Sequence, residues 1–496
     1  MAKEPVAKRR ANDKKSKPRA KAAHNRGVKT PPEPPEGTIN GQSLNDAQVE
    51  EALVTGEHRQ LLEAYFGEEA YEELTRMATR ARTARVRGGP RVLILPGIMG
   101  SKLGRRRLIF NDTIWIDPVD IIAGDLETLA IPAGALDIKP LGVILLAYLK
   151  LKLRLQLAGF DADFYPFDWR NDIAESGAQL AEHIREETSE DNSRKTVYLV
   201  AHSMGGLVSR AAIKRLDDDP QDAERVQQLI MLGTPNFGSF SPVQALSGYH
   251  SLVKKVAALD VTHTEQELVN DVFNTFLGLY QMLPAREKYA DLDLYSLSTW
   301  PQTGIGPRSE LLQNAPDIQA HLADGRDQFT LIAGVNQATI VGVRREGDEF
   351  RFSQSKEGDG TVPLAFAELS GAHSYYVEEE HGSLPNNETV AHAVIDLIET
   401  GKTGLLPDSW APAQRGMAWE VDRAELKRRP FGGRTGNDIS PREQRHLLDE
   451  FAAPLRATHV GTPPTTAGEK LGISVEPIIV GRRRQQCIDL RLAHGD

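Results

Sequence analysis

Residues 197–210 read VYLVAHSMGGLVSR: four apolar or aromatic residues, a serine set among small residues, then apolar positions at helical spacing. A strand that turns sharply and leaves as a helix needs small side chains at the turn, because the chain passes within contact of itself. Gly205 and Gly206 meet that need after Ser203, while Ala201 stands one methyl larger than the glycine usual at its place. The stretch therefore predicts a strand, a turn that presents a serine hydroxyl, and a helix.

The rest of the chain repeats the strand signal. PRVLILPGIMGSKL (90–103) reads as a short apolar strand running into a Gly-rich turn, and FDADFYPFDW, TVYLVAHS, QLIMLGTP, FTLIAGVN and SYYVEE read as strands, with helical patterns between most of them. Apolar strands alternating with helices predict an α/β fold with a mostly parallel central sheet covered by helices on both faces. Boundaries follow from composition. Residues 1–38 form a Lys/Arg/Ala/Pro-rich tail expected to stay disordered, and 39–88 a helical lead-in. Residues 89–403 form the main α/β domain, with a partly helical cap or lid over about 240–325 between GTPNFGS (233–239) and FTLIAGVN (329–336). Residues 404–496 are a C-terminal extension of unknown role, read as loops around one helix followed by ISVEPIIVGRRRQQCIDLRLAHGD, which resembles two strands.

Charge and composition exclude several classes. The formal net charge of the 496 residues is −10, yet the first 37 residues carry about eleven Lys/Arg against four Asp/Glu, leaving the remainder near −17. An acidic body is the wrong partner for phosphate backbones, so no nucleic acid is expected for the globular part; the basic tail alone suits an anionic surface. A single cysteine, Cys487, and an N-terminus without an apolar core fit a cytoplasmic protein. The most apolar run, 141–160, is broken by Lys150, Lys152 and Arg154 and reads as a soluble helix with its basic residues outward, or as a helix lying on a membrane surface. The glycines of LPGIMGSKLG lack dinucleotide spacing, and neither a phosphate loop nor a metal-ligand cluster appears, so no cofactor is expected.

A serine hydroxyl needs a base, and the base an orienting carboxylate. In α/β-hydrolases these follow in the order Ser, Asp/Glu, His. Asp359 stands in KEGDGTVP, before Gly360, in a loop after a strand, and His381 in YYVEEEHGSLPNN, just past the last predicted strand. His373 precedes that strand and is the rival base; His202 is read as a packing residue turned from the serine. The developing oxyanion needs donors, for which the backbone N–H groups of Met204 and Ile98 are the candidates. Gly97 lets the loop approach and Gly100 shapes it.

Four separated motifs carry a resemblance: LPGIMGSKL, YPFDWR (165–170), VAHSMGG with GTPNFGS, and GDGTVP followed by HGSLPNN. Together they resemble the lecithin:cholesterol acyltransferase-like α/β-hydrolases, which include phospholipases and lipid acyltransferases. The resemblance implies Ser203 as acyl acceptor, Asp359 and His381 as its partners, a lipid or other acyl ester as substrate, and transient contact with a membrane surface. Asp168, Trp169 and Arg170 are then expected to brace the strand and loop beside the site. Whether water or an alcohol takes the acyl group stays open. So do a carboxylesterase or thioesterase without lipid preference and a non-catalytic scaffold.

Overall fold

A computed structural model describes residues 44–84, 89–106, 111–115, 125–131, 137–189, 195–302, 304–412, 418–435, 438–440, Glu443 and the strand pair Ile479–Val480 with Arg483–Arg484. The chain divides into a unit Met1–Thr38 and a unit Ile39–Asp496; the tail and Cys487 lie outside the described residues. Twelve strands concern the site: β1 (Arg91–Leu95), β2 (Ser101–Arg106), β3 (Asn111–Trp115), β4 (Lys139–Val143), β5 (Asp161–Phe164), β6 (Val197–His202), β7 (Val226–Leu232), β8 (Phe329–Gly334), β9 (Thr339–Glu346), β10 (Glu349–Ser355), β11 (His373–Val377) and β12 (Trp419–Glu420).

Six of them form the central sheet in the order β11-β8-β7-β6-β1-β5, every pairing parallel. Period-two alternation sends Leu93 and Leu95 of β1 into one core cluster and Val92 and Ile94 into the other, so both faces are buried. This is the α/β-hydrolase fold. From β1 the chain moves out to β5, then returns across β1 to β6 and continues toward β11. The loops leaving β1 and β6 therefore diverge at adjacent strand ends, where open parallel sheets hold their ligands.

Helices α1 (Asp46–Thr55), α2 (Arg59–Phe66) and α3 (Glu68–Ala84) make up the lead-in. They share an apolar cluster with α4 (Leu145–Leu157), which follows β4 directly. That packing corrects the outward placement expected for the basic residues of 141–160. Lys152 is only 6% exposed and bonds Glu50 at 2.6 Å and Asp163 at 2.8 Å, while Lys150 meets Glu73 at 2.7 Å. Arg154 donates to the Asn386 carbonyl at 3.1 Å. The lead-in supplies Glu50 and Glu73 and β5 supplies Asp163, so the ammonium groups face protein rather than water. Among the described residues no helix is long and apolar enough to cross a membrane.

Two small antiparallel sheets, β3-β2-β4 and β12-β10-β9, lie outside the predicted strands. Their sequences, such as TIVGVRRE and EFRFSQS, mix charge into the alternation because one face meets solvent. After residue 404 the chain still contributes Val421, Leu426 and Ile439 to the larger core cluster.

Between β6 and β7 runs α5's partner helix: α5 (Ile173–Glu187) packs on α6 (Met204–Asp217) so closely that a Cβ on Gly177 would fall 2.5 Å from that of Ala211. Arg210 of α6 is buried, and burial lowers its pKa to about 10. Its guanidinium donates to the Ala323 carbonyl at 2.9 Å and to Asn236 Oδ1 at 3.0 Å, fastening to one helix the end of the 240–325 segment and the loop that leads into it.

Breaking the Lys152 cluster leaves Glu50 largely buried beside a second carboxylate. Lys152→Ala is expected to lower unfolding free energy by about 3 kcal/mol, seen as a lower urea midpoint.

Candidate active site

Ser203 has φ 54° and ψ −126°, a left-handed backbone that a non-glycine residue holds only under constraint, at a cost on the order of 1–3 kcal/mol. Packing on three sides supplies the constraint. The Ser203 N–H donates to the Leu232 carbonyl of β7 at 2.9 Å, and the Gly206 N–H to the Ser203 carbonyl at 3.0 Å. A Cβ on Gly205 would fall 2.5 Å from the Pro96 carbonyl oxygen, and one on Gly206 2.0 Å from Thr234 Oγ1. Although Ser203 occupies the N-cap position of α6, its hydroxyl makes no capping bond. The oxygen is directed elsewhere.

It meets His381 Nε2 at 2.9 Å, and His381 Nδ1 meets Asp359 Oδ2 at 2.7 Å. The loop after β10 holds Asp359 through its other oxygen: Oδ1 accepts the N–H groups of Thr361 at 2.9 Å and Val362 at 2.7 Å. The Asp359 carbonyl also accepts the His381 N–H at 2.8 Å, so the two loops are joined by backbone as well as side chain. With a carboxylate oxygen against Nδ1, that nitrogen carries the ring proton, and the Nε2 lone pair faces the serine hydroxyl. All three are buried, with Ser203 4%, Asp359 2% and His381 0% exposed.

The loop after β1 runs against the serine. A Cβ on Gly97 would lie 2.8 Å from Ser203 Cβ and 3.3 Å from its Oγ, so only glycine allows this approach. Met99 follows at φ 60°, its carbonyl accepting the Trp115 indole N–H at 2.9 Å, and the Gly100 N–H closes a turn onto the Gly97 carbonyl at 3.0 Å. Among the described residues, neither the Ile98 N–H nor the Met204 N–H has a protein acceptor. Met204 opens the fourteen-residue α6, whose N-terminus favours negative charge.

Asp168, Trp169 and Arg170 tie this loop to its surroundings. The Trp169 indole N–H donates to the Ser101 carbonyl at 3.1 Å, and Ser101 Oγ accepts the Phe167 N–H at 3.1 Å. Arg170 makes a forked pair with Asp168 at 2.9 and 2.6 Å and reaches the Leu129 carbonyl at 2.8 Å. Its own carbonyl accepts the Gly278 N–H at 3.2 Å, and a Cβ on Gly278 would come within 2.7 Å of Met204 Cε. The 240–325 segment thus packs directly on the residue after the serine.

His373 begins β11, exposed, at the end of that strand away from the serine. His202 is turned from the hydroxyl but is more than packing: its Nδ1 meets the Tyr148 hydroxyl and its Nε2 the His381 carbonyl, both at 2.9 Å. Burial first, then the neighbouring His381, depress its pKa well below the usual range. Sequence reasoning missed Tyr148 and Gly233. Tyr148 is a hydroxyl inside an apolar run; Gly233, at φ 60°, borders Asp359 and His381 so closely that a Cβ would stand 3.0 Å from each side chain. Among the described residues no cluster of three or more His, Cys, Asp or Glu is arranged to hold a metal ion.

A family model described as Lecithin:cholesterol acyltransferase matches residues 147–425, more than half of the chain. Over 168 residues the chain is 21% identical to a probable dTDP-glucose 4,6-dehydratase of Sinorhizobium fredii. That match covers 34% of this chain and 45% of the dehydratase, so the chain spans less than half the length of this curated relative. Among solved structures, one chain of the Tle4-Tli4 complex aligns with TM-score 0.42 and 14% identity, covering 64% of this chain and 100% of that one. The mature lipase BlEst2 of Bacillus licheniformis aligns with TM-score 0.32 and 16% identity, covering 64% and 94%.

The glycine at the turn is a sharp test of this packing. Gly206→Ala, which drives a methyl into Thr234, is expected to cost about 1–3 kcal/mol, read as a lowered thermal midpoint with native-like far-ultraviolet dichroism.

Proposed function

The chain belongs to the lecithin:cholesterol acyltransferase family, and on that footing we propose that it is a serine-dependent acyl-transfer enzyme acting on lipid acyl esters. The observation that carries this reading is the unbroken series Ser203 Oγ, His381 Nε2, His381 Nδ1 and Asp359 Oδ2, built at a left-handed turn between adjacent strand ends.

In the reaction, His381 Nε2 takes the Ser203 proton as Oγ attacks the ester carbonyl carbon. The carbonyl oxygen becomes an oxyanion, received by the Met204 and Ile98 N–H groups. Collapse breaks the bond to the leaving alcohol, which departs with the proton from His381, and leaves the acyl group on Ser203. Water or an acceptor alcohol, deprotonated by His381, then attacks the acyl-enzyme and restores the serine. The choice between water and alcohol is the choice between lipase and O-acyltransferase. It belongs to the 240–325 segment, which we assign as a cap: its packing on Met204 at Gly278 supports a role in excluding water and holding the second substrate. Opening at a membrane surface would then admit lipid.

A fluorophosphonate is expected to form one adduct on the peptide containing Ser203. Ser203→Ala abolishes it, and His381→Ala slows it by about 10³-fold or more, as intact and peptide mass spectrometry would show. Asp359→Asn, which offers the histidine an amide in place of an acceptor carboxylate, is expected to lower kcat by about 10⁴-fold. A folded protein that forms no adduct even with phospholipid vesicles would overturn the catalytic reading. Among chromogenic esters, equal rates from acetate to palmitate would point to an esterase without lipid preference.

A further inference from the structure

Four groups behind the serine form a second hydrogen-bonded series. The Gly97 N–H donates to the Tyr148 hydroxyl oxygen at 2.9 Å. That hydroxyl meets His202 Nδ1 at 2.9 Å, and His202 Nε2 meets the His381 carbonyl at 2.9 Å. Direction is settled by the two ends. A carbonyl oxygen only accepts, so Nε2 carries the imidazole proton. Burial holds the ring neutral, which leaves Nδ1 as an acceptor. Tyr148 therefore donates to His202 and accepts from Gly97, and no polar atom in the series is left unpaired.

The surroundings are shaped for this hydroxyl. Tyr148 is 1% exposed, and a Cβ on Gly100 would come within 2.8 Å of its oxygen. One on Gly97 would come within 3.3 Å of His202 Nδ1. Both glycines of PGIMG thus make room for the Tyr148–His202 pair, and Gly97 makes room for Ser203 as well. Of the first two N–H groups of the loop, Gly97 is spoken for and Ile98 is not.

We propose that Tyr148 and His202 are positioning residues for the oxyanion loop: by occupying the Gly97 N–H they leave Ile98 as the donor offered to the acyl oxygen, and they lock that donor to the backbone of His381. The proposal rests on the reading of Ser203, Asp359 and His381 as the catalytic group. It explains why a tyrosine hydroxyl is fully buried in α4, where an unpaired one would be costly. It also makes α4, clamped by the lead-in helices, the element that supports the oxyanion loop from the side away from the serine.

The test compares the full chain with Tyr148→Phe, His202→Asn and His202→Gln in three measurements: p-nitrophenyl butyrate kinetics, fluorophosphonate labelling, and hydrogen exchange of the peptide spanning residues 96–101. Tyr148→Phe is expected to speed exchange at Gly97 and to lower kcat about tenfold to a hundredfold, less than loss of a donor outright, with KM moving less than about threefold. His202→Asn keeps an amide oxygen near the Nδ1 position as acceptor for the tyrosine, so it is expected to retain more kcat than His202→Gln. Unchanged kcat in folded Tyr148→Phe, with or without faster exchange, overturns the positioning role; so does His202→Gln outperforming His202→Asn. If the unaltered chain takes no fluorophosphonate while Gly97 is still protected only when Tyr148 is present, the catalytic reading fails and the positioning role falls with it, although the hydrogen-bonded series stands.

Discussion

The backbone of Ser203 is held where an L-residue does not rest by itself, and most of what surrounds it exists to hold it there. The turn follows β6, which lies between β1 and β7, so its direction is set by two parallel ladders before the chain reverses. Glycines then occupy the positions where other chain segments press closest. Gly97 approaches from the β1 loop, Gly205 and Gly206 lie beneath Pro96 and Thr234, and Gly233 and Gly334 border the Asp359 and His381 side. Each would otherwise place a methyl within about 3 Å of another atom. Strain at one residue is thus carried by the packing density of five others.

Around that turn the polar groups are organised by acceptors more than by charge. Asp359 is held by two backbone N–H groups and by its own carbonyl's bond to His381, so its loop and the histidine loop move as one piece. Two buried guanidinium groups fix the neighbouring segments. Arg210 binds the carbonyl of Ala323 and the side chain of Asn236, and Arg170 joins Asp168 to the Leu129 carbonyl. Arginine suits this work because its donors are splayed in a rigid plane and reach several acceptors at once. The result anchors the end of the 240–325 segment and the loop leading into it beside α6, and its middle, at Gly278, against Met204.

The central sheet was legible in the sequence because its strands are buried on both faces and read as uninterrupted apolar runs. The two small sheets were not, since their strands alternate apolar with charged residues and resemble loops in a single sequence. Helix α4 was legible as a helix but not in its surroundings. Lys152 finds Glu50 about a hundred residues earlier in the chain, and nothing local announces that a carboxylate will be there. The same holds for Tyr148, whose partners Gly97 and His202 lie 51 and 54 residues away.

The sequence by itself determined the turn at Ser203, because small residues, strand period and helix period are all written within fourteen consecutive positions. It also determined the chain order of Ser203, Asp359 and His381 and their placement after strands. Only the tertiary structure decided that these three stand within hydrogen-bond distance, that His202 faces a tyrosine instead of the serine, and that the lead-in helices neutralise α4. Strand, turn and helix preferences are set by neighbours in sequence over a few residues, while the strained dihedrals of Ser203 are held by packing from other segments. Polar pairing is chosen by neighbours in space, and a buried donor takes whichever acceptor the fold brings to it.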